Sequence, residues 1–264
     1  MKILICYFST TGNTVLACQY MAKRIPEATF EYLNIAKEPL PDLTPYGLIG
    51  FATFADFVAP PKLMQDFIHR IPQQQGKPAF VFNTYGNFNG ATLRILKRQV
   101  EARGFKVLDG FALNTPENVP PLIAGGIART DRPREGQLEE FNGFIARLGR
   151  IVSELNAGRM PQLIKLKFDL LSYLIPPAPR SIGRSMMGIK SADPALCTQC
   201  GLCRDICPYG AISMNPGPVF EQQKCFGCWS CYNHCPTKAI YTKTMRNKGH
   251  YAEPCEQLRG KLGE

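Results

Sequence analysis

No stretch of the sequence approaches the ~20 consecutive apolar residues that a membrane-spanning helix needs. There is no G-x-G-x-x-G run after an early strand and no glycine-rich loop ending in G-K-[ST]. Those absences set aside the dinucleotide and nucleoside-triphosphate cradles. Histidine is scarce: His69, His234 and His250 are all there are, and each is expected at the surface. None has partners that suggest a catalytic or metal role, and no nucleophile–base pair or paired carboxylates of hydrolytic type stand out, which disfavours hydrolytic chemistry. The formal net charge is +10, yet no long basic stripe or recognition motif accompanies it, so nucleic acid is not an expected partner. The opening apolar run, residues 3–8, is shorter than the core of a secretory signal and carries no cleavage site, so a cytoplasmic, reducing setting is expected.

Cysteine, by contrast, is abundant, with 11 residues, and eight of them fall into two matching runs. The first is C-T-Q-C-G-L-C-R-D-I-C-P from Cys197, and the second is C-F-G-C-W-S-C-Y-N-H-C-P from Cys225. Cys197 superposes on Cys225, Cys200 on Cys228, Cys203 on Cys231 and Cys207 on Cys235, with Pro208 on Pro236, the mark of a duplicated unit. C-x2-C-x2-C-x3-C-P is the bacterial run for cubane iron–sulphur clusters, in which three thiolates wrap one cube and the fourth reaches the other. One [4Fe–4S] cluster is therefore expected on Cys197, Cys200, Cys203 and Cys235, and a second on Cys225, Cys228, Cys231 and Cys207. Zinc sites also use C-x2-C pairs, but they join two with two rather than three with one crossed over. A disulfide framework would need an oxidising compartment. Of the other cysteines, Cys6 and Cys18 read as small core residues and Cys255 as an exposed thiol.

A hydrophobic share of 45% and a charged share of 20% describe a globular chain, and 264 residues suffice for one medium domain and one small one. Residues 1–155 carry 17 basic and 14 acidic side chains, residues 156–189 carry 5 and 1, and residues 190–264 carry 9 and 6. Two cubanes, each roughly −2 with its thiolates, would more than cancel the surplus of the last segment. The basic excess then lies in the middle. The division read from these shifts is 1–155, a linker over 156–189, a cluster unit over 190–246 and a tail over 247–264.

Strand-like runs at 2–8, 29–35, 46–53, 78–84 and 105–113 alternate with helical periodicity at 62–70, 91–103 and 135–155. Alternation of this kind implies a parallel sheet covered by helices. The first strand runs into Ser9, Thr10, Thr11, Gly12, Asn13 and Thr14, and then a helix begins. A hydroxyl- and glycine-rich turn at a helix N-terminus suits a phosphate monoester, although Ser9 or Thr10 could equally serve as a plain helix cap. That loop resembles the FMN phosphate loop of flavodoxins, over about the first 155 residues. With the cysteine runs added, the whole chain resembles the fused flavodoxin–ferredoxin proteins of anaerobic bacteria and archaea. The resemblance implies an α/β flavodoxin-like three-layer sandwich with a five-stranded parallel sheet of order 2-1-3-4-5. A small α+β ferredoxin domain holding two [4Fe–4S] clusters follows it. The resemblance also implies FMN, held by residues 9–14 and by the loops after the third and fourth strands. Those loops carry Thr53 and Phe54 in the one, and Asn83, Thr84, Tyr85, Gly86, Asn87 and Phe88 in the other. Tyr85 is the first choice for stacking on the ring, with Phe54, Phe57 and Phe88 behind it, the alternative being aromatics that merely seal the sheet end.

Three further segments carry expectations. The Pro/Gly-rich stretch 114–133 should be a loop near the flavin edge. In the linker, Leu163, Leu166, Leu170, Leu171 and Leu174 fall on one helical face, expected to pack on the chain's own domains in preference to a membrane surface. The basic tail is expected to wrap back on the cluster unit. Flavin and cubanes on one chain imply electron transfer with a redox protein partner. The alternatives are a reductase of a small acceptor, such as a quinone or metal cofactor, and a docking module without FMN. Nothing in the sequence fixes the oligomeric state.

Overall fold

The computed structural model describes residues 1–166, 168, 171–174 and 180–263. Its first part is a sheet built from β1 (Lys2–Tyr7), β2 (Thr29–Asn34), β3 (Leu48–Phe54), β4 (Pro78–Tyr85) and β5 (Lys106–Asn114). All neighbours are parallel and the order is β2-β1-β3-β4-β5. Strands covered on both faces read as continuous apolar runs, as in the Ile3–Cys6 stretch of β1 and nearly all of β3. Successive side chains go to opposite faces. Ile3, Ile5, Leu48, Phe80 and Phe82 meet α1 (Asn13–Ala22) and the long helix of residues 135–156 on one side. Leu4, Cys6, Ile49, Phe51 and Val81 meet α2 (Lys62–Arg70) and α3 (Thr92–Ala102) on the other. The expected three-layer α/β sandwich is thus present, with strand ends within two residues of those read from the sequence. Cys6 and Cys18 are buried as expected.

The stretch 114–133 is not wholly irregular. It contains α4 (Pro120–Ala124), started by prolines that fit a first helical turn, before α5 (Glu135–Asn156) closes the sandwich. The linker departs further from expectation. Residues 161–166 are not helical, and the Ile164 N–H donates to the Leu108 carbonyl at 2.9 Å. Among the described residues of the linker, α6 (Leu171–Leu174), four residues long, is the one helix before α7 (Arg180–Met187). Leu163 and Leu174 are exposed, Leu166 packs with the α2–α3 core, and Leu170 lies outside the described residues. Pro161 at the head of the segment, with the open edge of β5 beside it, outweighs the helical periodicity.

The cluster unit displays its duplication directly. An offset of 28 residues carries β6 (Ser191–Ala192) onto β8 (Gly217–Phe220) and α8 (Leu202–Asp205) onto α9 (Ser230–His234). The same offset carries β7 (Ile212–Asn215) onto β9 (Ile240–Tyr241). β6 pairs antiparallel with β9, and β7 with β8. Backbone conformation follows the repeat: Gln199 and Gly227, Gly201 and Trp229, and Gly210 and Lys238 all have positive φ.

The tail corrects the sequence expectation. Its start touches the cluster unit, where Tyr232 Oη donates to the Lys248 carbonyl at 2.8 Å and the His250 ring stacks on Tyr232 at 4.3 Å. His250 is therefore half-buried, not a surface residue. The end of the tail, α10 (Glu256–Lys261), docks on the α/β domain. Leu258 and Leu262 join the core under α1 and α5, Cys255 packs against it half-buried, and Lys261 Nζ donates to the Asp131 and Pro133 carbonyls. Leu258 is wholly buried. Leu258→Ala should cost the α/β domain about 2–5 kcal/mol in urea denaturation followed by circular dichroism. A loss below ~1 kcal/mol would show that the tail contributes nothing to that core.

Candidate functional site

At the carboxyl ends of the strands lies a cavity of about 300 Å³. β1 delivers Ser9, Thr10 and Thr11 to it, and α1 adds Asn13 and Thr14. The turn is made by Gly12 at φ +91, whose outer face lies against Pro254 of the tail, where a Cβ would come within 2.9 Å of Cδ. No side chain caps α1, so its first N–H groups and the positive end of its dipole are left open to an anion. Ser9 Oγ accepts from the Gly12 N–H at 3.1 Å and holds the turn closed. Thr14 and Thr84 join hydroxyl to hydroxyl at 2.8 Å, tying the helix start to the end of β4.

The walls are aromatic. Phe54 and Phe57 come from the end of β3, Tyr85 and Phe88 from the end of β4, and Trp229 from the cluster unit. The loop after β4 is fixed by Glu117, whose carboxylate accepts from the N–H groups of Asn87 at 2.9 Å, Asn118 at 3.0 Å and Val119 at 3.1 Å. The segment 115–119 and α4 supply the remaining side, and Met186 and Met187 of α7 also line the cavity. An aromatic slot ending at an uncapped helix suits a planar ring with a phosphate tail, and the volume lies at the low end of small-ligand sites.

Of the residues singled out from the sequence, Ser9, Thr10, Thr11, Asn13, Thr14, Phe54, Thr84, Tyr85, Gly86, Asn87 and Phe88 line this cavity. Gly12, Thr53 and Asn83 do not. Gly12 faces the tail, while Thr53 and Asn83 are wholly buried beneath the floor, each with a side-chain oxygen lacking a hydrogen-bond partner. Sequence reasoning missed Glu117, Asn118, Met187 and the side of Trp229 that faces the cavity. A lone acid among the otherwise uncharged residues 114–128 was the one available signal for Glu117.

The eight run cysteines gather around two small cavities. Cys197, Cys200, Cys203 and Cys235 line one, and Cys207, Cys225, Cys228 and Cys231 line the other. The fourth thiol of each run has crossed to the other set, as the spacing requires. Burial pushes the Cys228 thiol up to about 12, with Lys190 opposing the rise and Cys207 and Cys225 adding to it. Burial likewise raises Cys203, helped by Cys235, Cys197 and Cys200. Thiols crowded and desolvated in this way carry charge only beside a metal centre. All 11 cysteines are unpaired, and among the described residues no three His, Cys, Asp or Glu side chains converge closely enough for a single metal ion. The Ala211 N–H donates to Cys207 Sγ at 3.3 Å and the Gly227 N–H to Cys225 Sγ at 3.4 Å, the kind of contact that tunes cluster potential.

Cys228 and Trp229 line both the aromatic cavity and one cysteine cavity. Trp229 has φ 61, a conformation costly for a bulky residue, where the first half of the repeat has Gly201. Its indole N–H donates to Met187 Sδ. A polar chain fixes this junction. Asn118 Nδ2 donates to Thr11 Oγ1 at 2.8 Å, Asn233 Nδ2 to the Asn118 carbonyl at 3.4 Å and the Tyr251 N–H to Asn233 Oδ1 at 3.2 Å. Tyr251 Oη then donates to Asn13 Oδ1 at 3.0 Å.

Comparison with known proteins bears on the cysteine-rich part of the chain. Residues 196–239 match the family model of the 4Fe–4S dicluster domain. The chain is 38% identical over 53 residues to the ferredoxin MJ0155 of Methanocaldococcus jannaschii, a stretch that is 19% of this chain and 35% of that one. It is 35% identical over 68 residues to the electron transport protein HydN of Escherichia coli, covering 24% and 39%. It thus spans little more than a third of the length of either. A second ferredoxin of M. jannaschii, MJ0722, is 32% identical over 57 residues, covering 20% of this chain and 74% of that one. Among solved structures, a flavodoxin from the domain Archaea aligns at a TM-score of 0.43 with 16% identity, over 58% of this chain and 99% of that one. The flavodoxin-like assignment rests on the strand order itself. Among the described residues no helix is long and apolar enough to cross a membrane. Through residues 196–239 the chain belongs with the dicluster ferredoxins, and that unit follows a sheet of flavodoxin order in the same polypeptide.

Proposed function

We propose that the protein is a cytoplasmic electron-transfer iron–sulphur flavoprotein. It would carry FMN in the aromatic cavity and two [4Fe–4S] clusters on the crossed cysteine sets, and exchange electrons with a redox protein partner. Bound FMN would supply a centre able to take one or two electrons, against one for each cubane. What supports the reading is the wall shared between the cavities: Cys228 and Trp229 belong to both, so a thiol that would ligate a cluster lines the aromatic slot.

The chain's own groups have distinct tasks in this scheme. The uncapped start of α1, with the hydroxyls of Ser9, Thr10 and Thr11, would hold the phosphate. Tyr85 and Trp229 would bound the ring, while Glu117 keeps the loop after β4 in place. Met187, held by the Trp229 indole N–H, would exclude water from the junction of flavin and cluster, which favours movement of charge without side reactions.

Anaerobic purification with iron, sulphide and flavin determined together should give about eight irons, about eight sulphides and one FMN per chain. Zinc at the thiols, or iron for a single cube, would overturn the assignment. Trp229→Gly suits the left-handed backbone at that position. It should retain full iron content while weakening FMN at least about tenfold, or ~1.4 kcal/mol, as read by flavin fluorescence quenching. Unchanged affinity would remove Trp229 from the flavin wall.

A further inference from the structure

Lys190 is among the few charged side chains buried in this protein, at 3% exposure, and its ammonium has no hydrogen-bonding partner. It lines the cavity of Cys207, Cys225, Cys228 and Cys231, and Nζ sits 4.3 Å from the centre of the Trp229 ring. Burying an ammonium with no acceptor costs several kcal/mol unless a compensating negative charge lies nearby. Among the described residues none lies within hydrogen-bond reach. What faces Lys190 is a set of four thiols, and a cubane on them would carry roughly −2.

The other half of the repeat shows what is special here. The offset of 28 that relates the cysteine runs carries Lys190 onto Pro218, and Pro218 lines the cavity of Cys197, Cys200, Cys203 and Cys235. Apart from its cysteines, no ionisable side chain lines that second cavity. One cluster site thus has a buried cation at the position where its twin has an imino acid.

We infer that Lys190 is a positioning charge that sets apart the potentials of the two clusters, holding the one beside the aromatic cavity more positive than its twin. The inference rests on the reading of two [4Fe–4S] clusters given above. Its physical basis is simple. One-electron reduction adds negative charge to a site screened from water, where a fixed cation stabilises the reduced state far more than it would in solvent. The electron would then favour the cluster whose ligand Cys228 lies in the wall of the flavin site, and the distal cluster would feed it downhill. The cation–π contact with Trp229 keeps the ammonium from reaching solvent.

The test is an anaerobic redox titration of the holoprotein monitored by electron paramagnetic resonance, comparing wild type with Lys190→Met and Lys190→Arg. Wild type should show two cluster couples. Lys190→Met should lower the more positive couple by at least a tenfold change in its reduction constant, about 59 mV for one electron, and leave the other in place. Lys190→Arg, which keeps the charge, should leave both near their wild-type values. Both couples unmoved in Lys190→Met, both displaced equally, or only the lower one displaced would each overturn the inference. Should Lys190→Met fail to assemble, Lys190→Gln provides the same readout; if neither neutral variant takes up iron while the arginine variant does, the role is structural and the inference falls. Failure of the underlying two-cluster reading would look different, as wild-type protein with iron for one cluster or none.

Discussion

A chain of hydrogen bonds at the domain junction governs the rest of this structure. Thr11, Asn118, Asn233, Tyr251 and Asn13 link the first loop, the segment after β5, helix α9 of the cluster unit and the start of the tail. Asn13 and Asn233 are almost fully buried there. Each bond contributes only ~0.5–1.5 kcal/mol net, but a buried amide left without its partner costs about 1–3 kcal/mol. The network therefore acts mainly as a specification. Docking the cluster unit in another orientation would strand several buried amides at once. With the chosen orientation, the Cys225–Cys231 loop faces the open ends of the strands, and the tail is led past Gly12 to close against α1 and α5.

Duplication supplies the second constraint, and the departures from it are informative. The two halves of the cluster unit share strands, short helices, cysteine placement and even their left-handed backbone positions. They part company where the unit meets the α/β domain. Trp229 replaces the Gly201 type of residue despite a backbone that penalises bulk, and Lys190 stands where the twin has Pro218. Both exceptions line the cysteine cavity that borders the aromatic one, and both are expensive in a free-standing ferredoxin-like unit. Strain and a buried charge at one interface are what a junction between two redox sites would retain.

Much of this was legible in the sequence, for identifiable reasons. Buried parallel strands need long apolar runs, and KILICY and LIGFAT announce themselves as such. Cysteine spacing points to two crossed sets of thiols, and the crossed lining of the two cavities follows it. The loop after β1 could be read because Gly12 and its hydroxyl neighbours are a local device. What could not be read depends on contacts between distant segments. Leucines of the linker have helical spacing, yet Pro161 and the free edge of β5 draw Ile164 into a backbone hydrogen bond instead. Glu117, Met187 and Trp229 reach the cavity from three separate parts of the chain, and no local pattern reports that. The tail's apolar Leu258 and Leu262 gave no hint of which domain they would cover.

The central claim is that charge passes between the clusters and the flavin inside one molecule, across the wall formed by Cys228 and Trp229. Its most direct test is rapid photochemical reduction of the holoprotein under anaerobic conditions, with flavin and cluster absorbance followed together over a range of protein concentrations. The account predicts that the electron redistributes between the two kinds of centre at a rate independent of protein concentration. A redistribution rate that rises in proportion to concentration would mean that electrons cross only between molecules, and would contradict it.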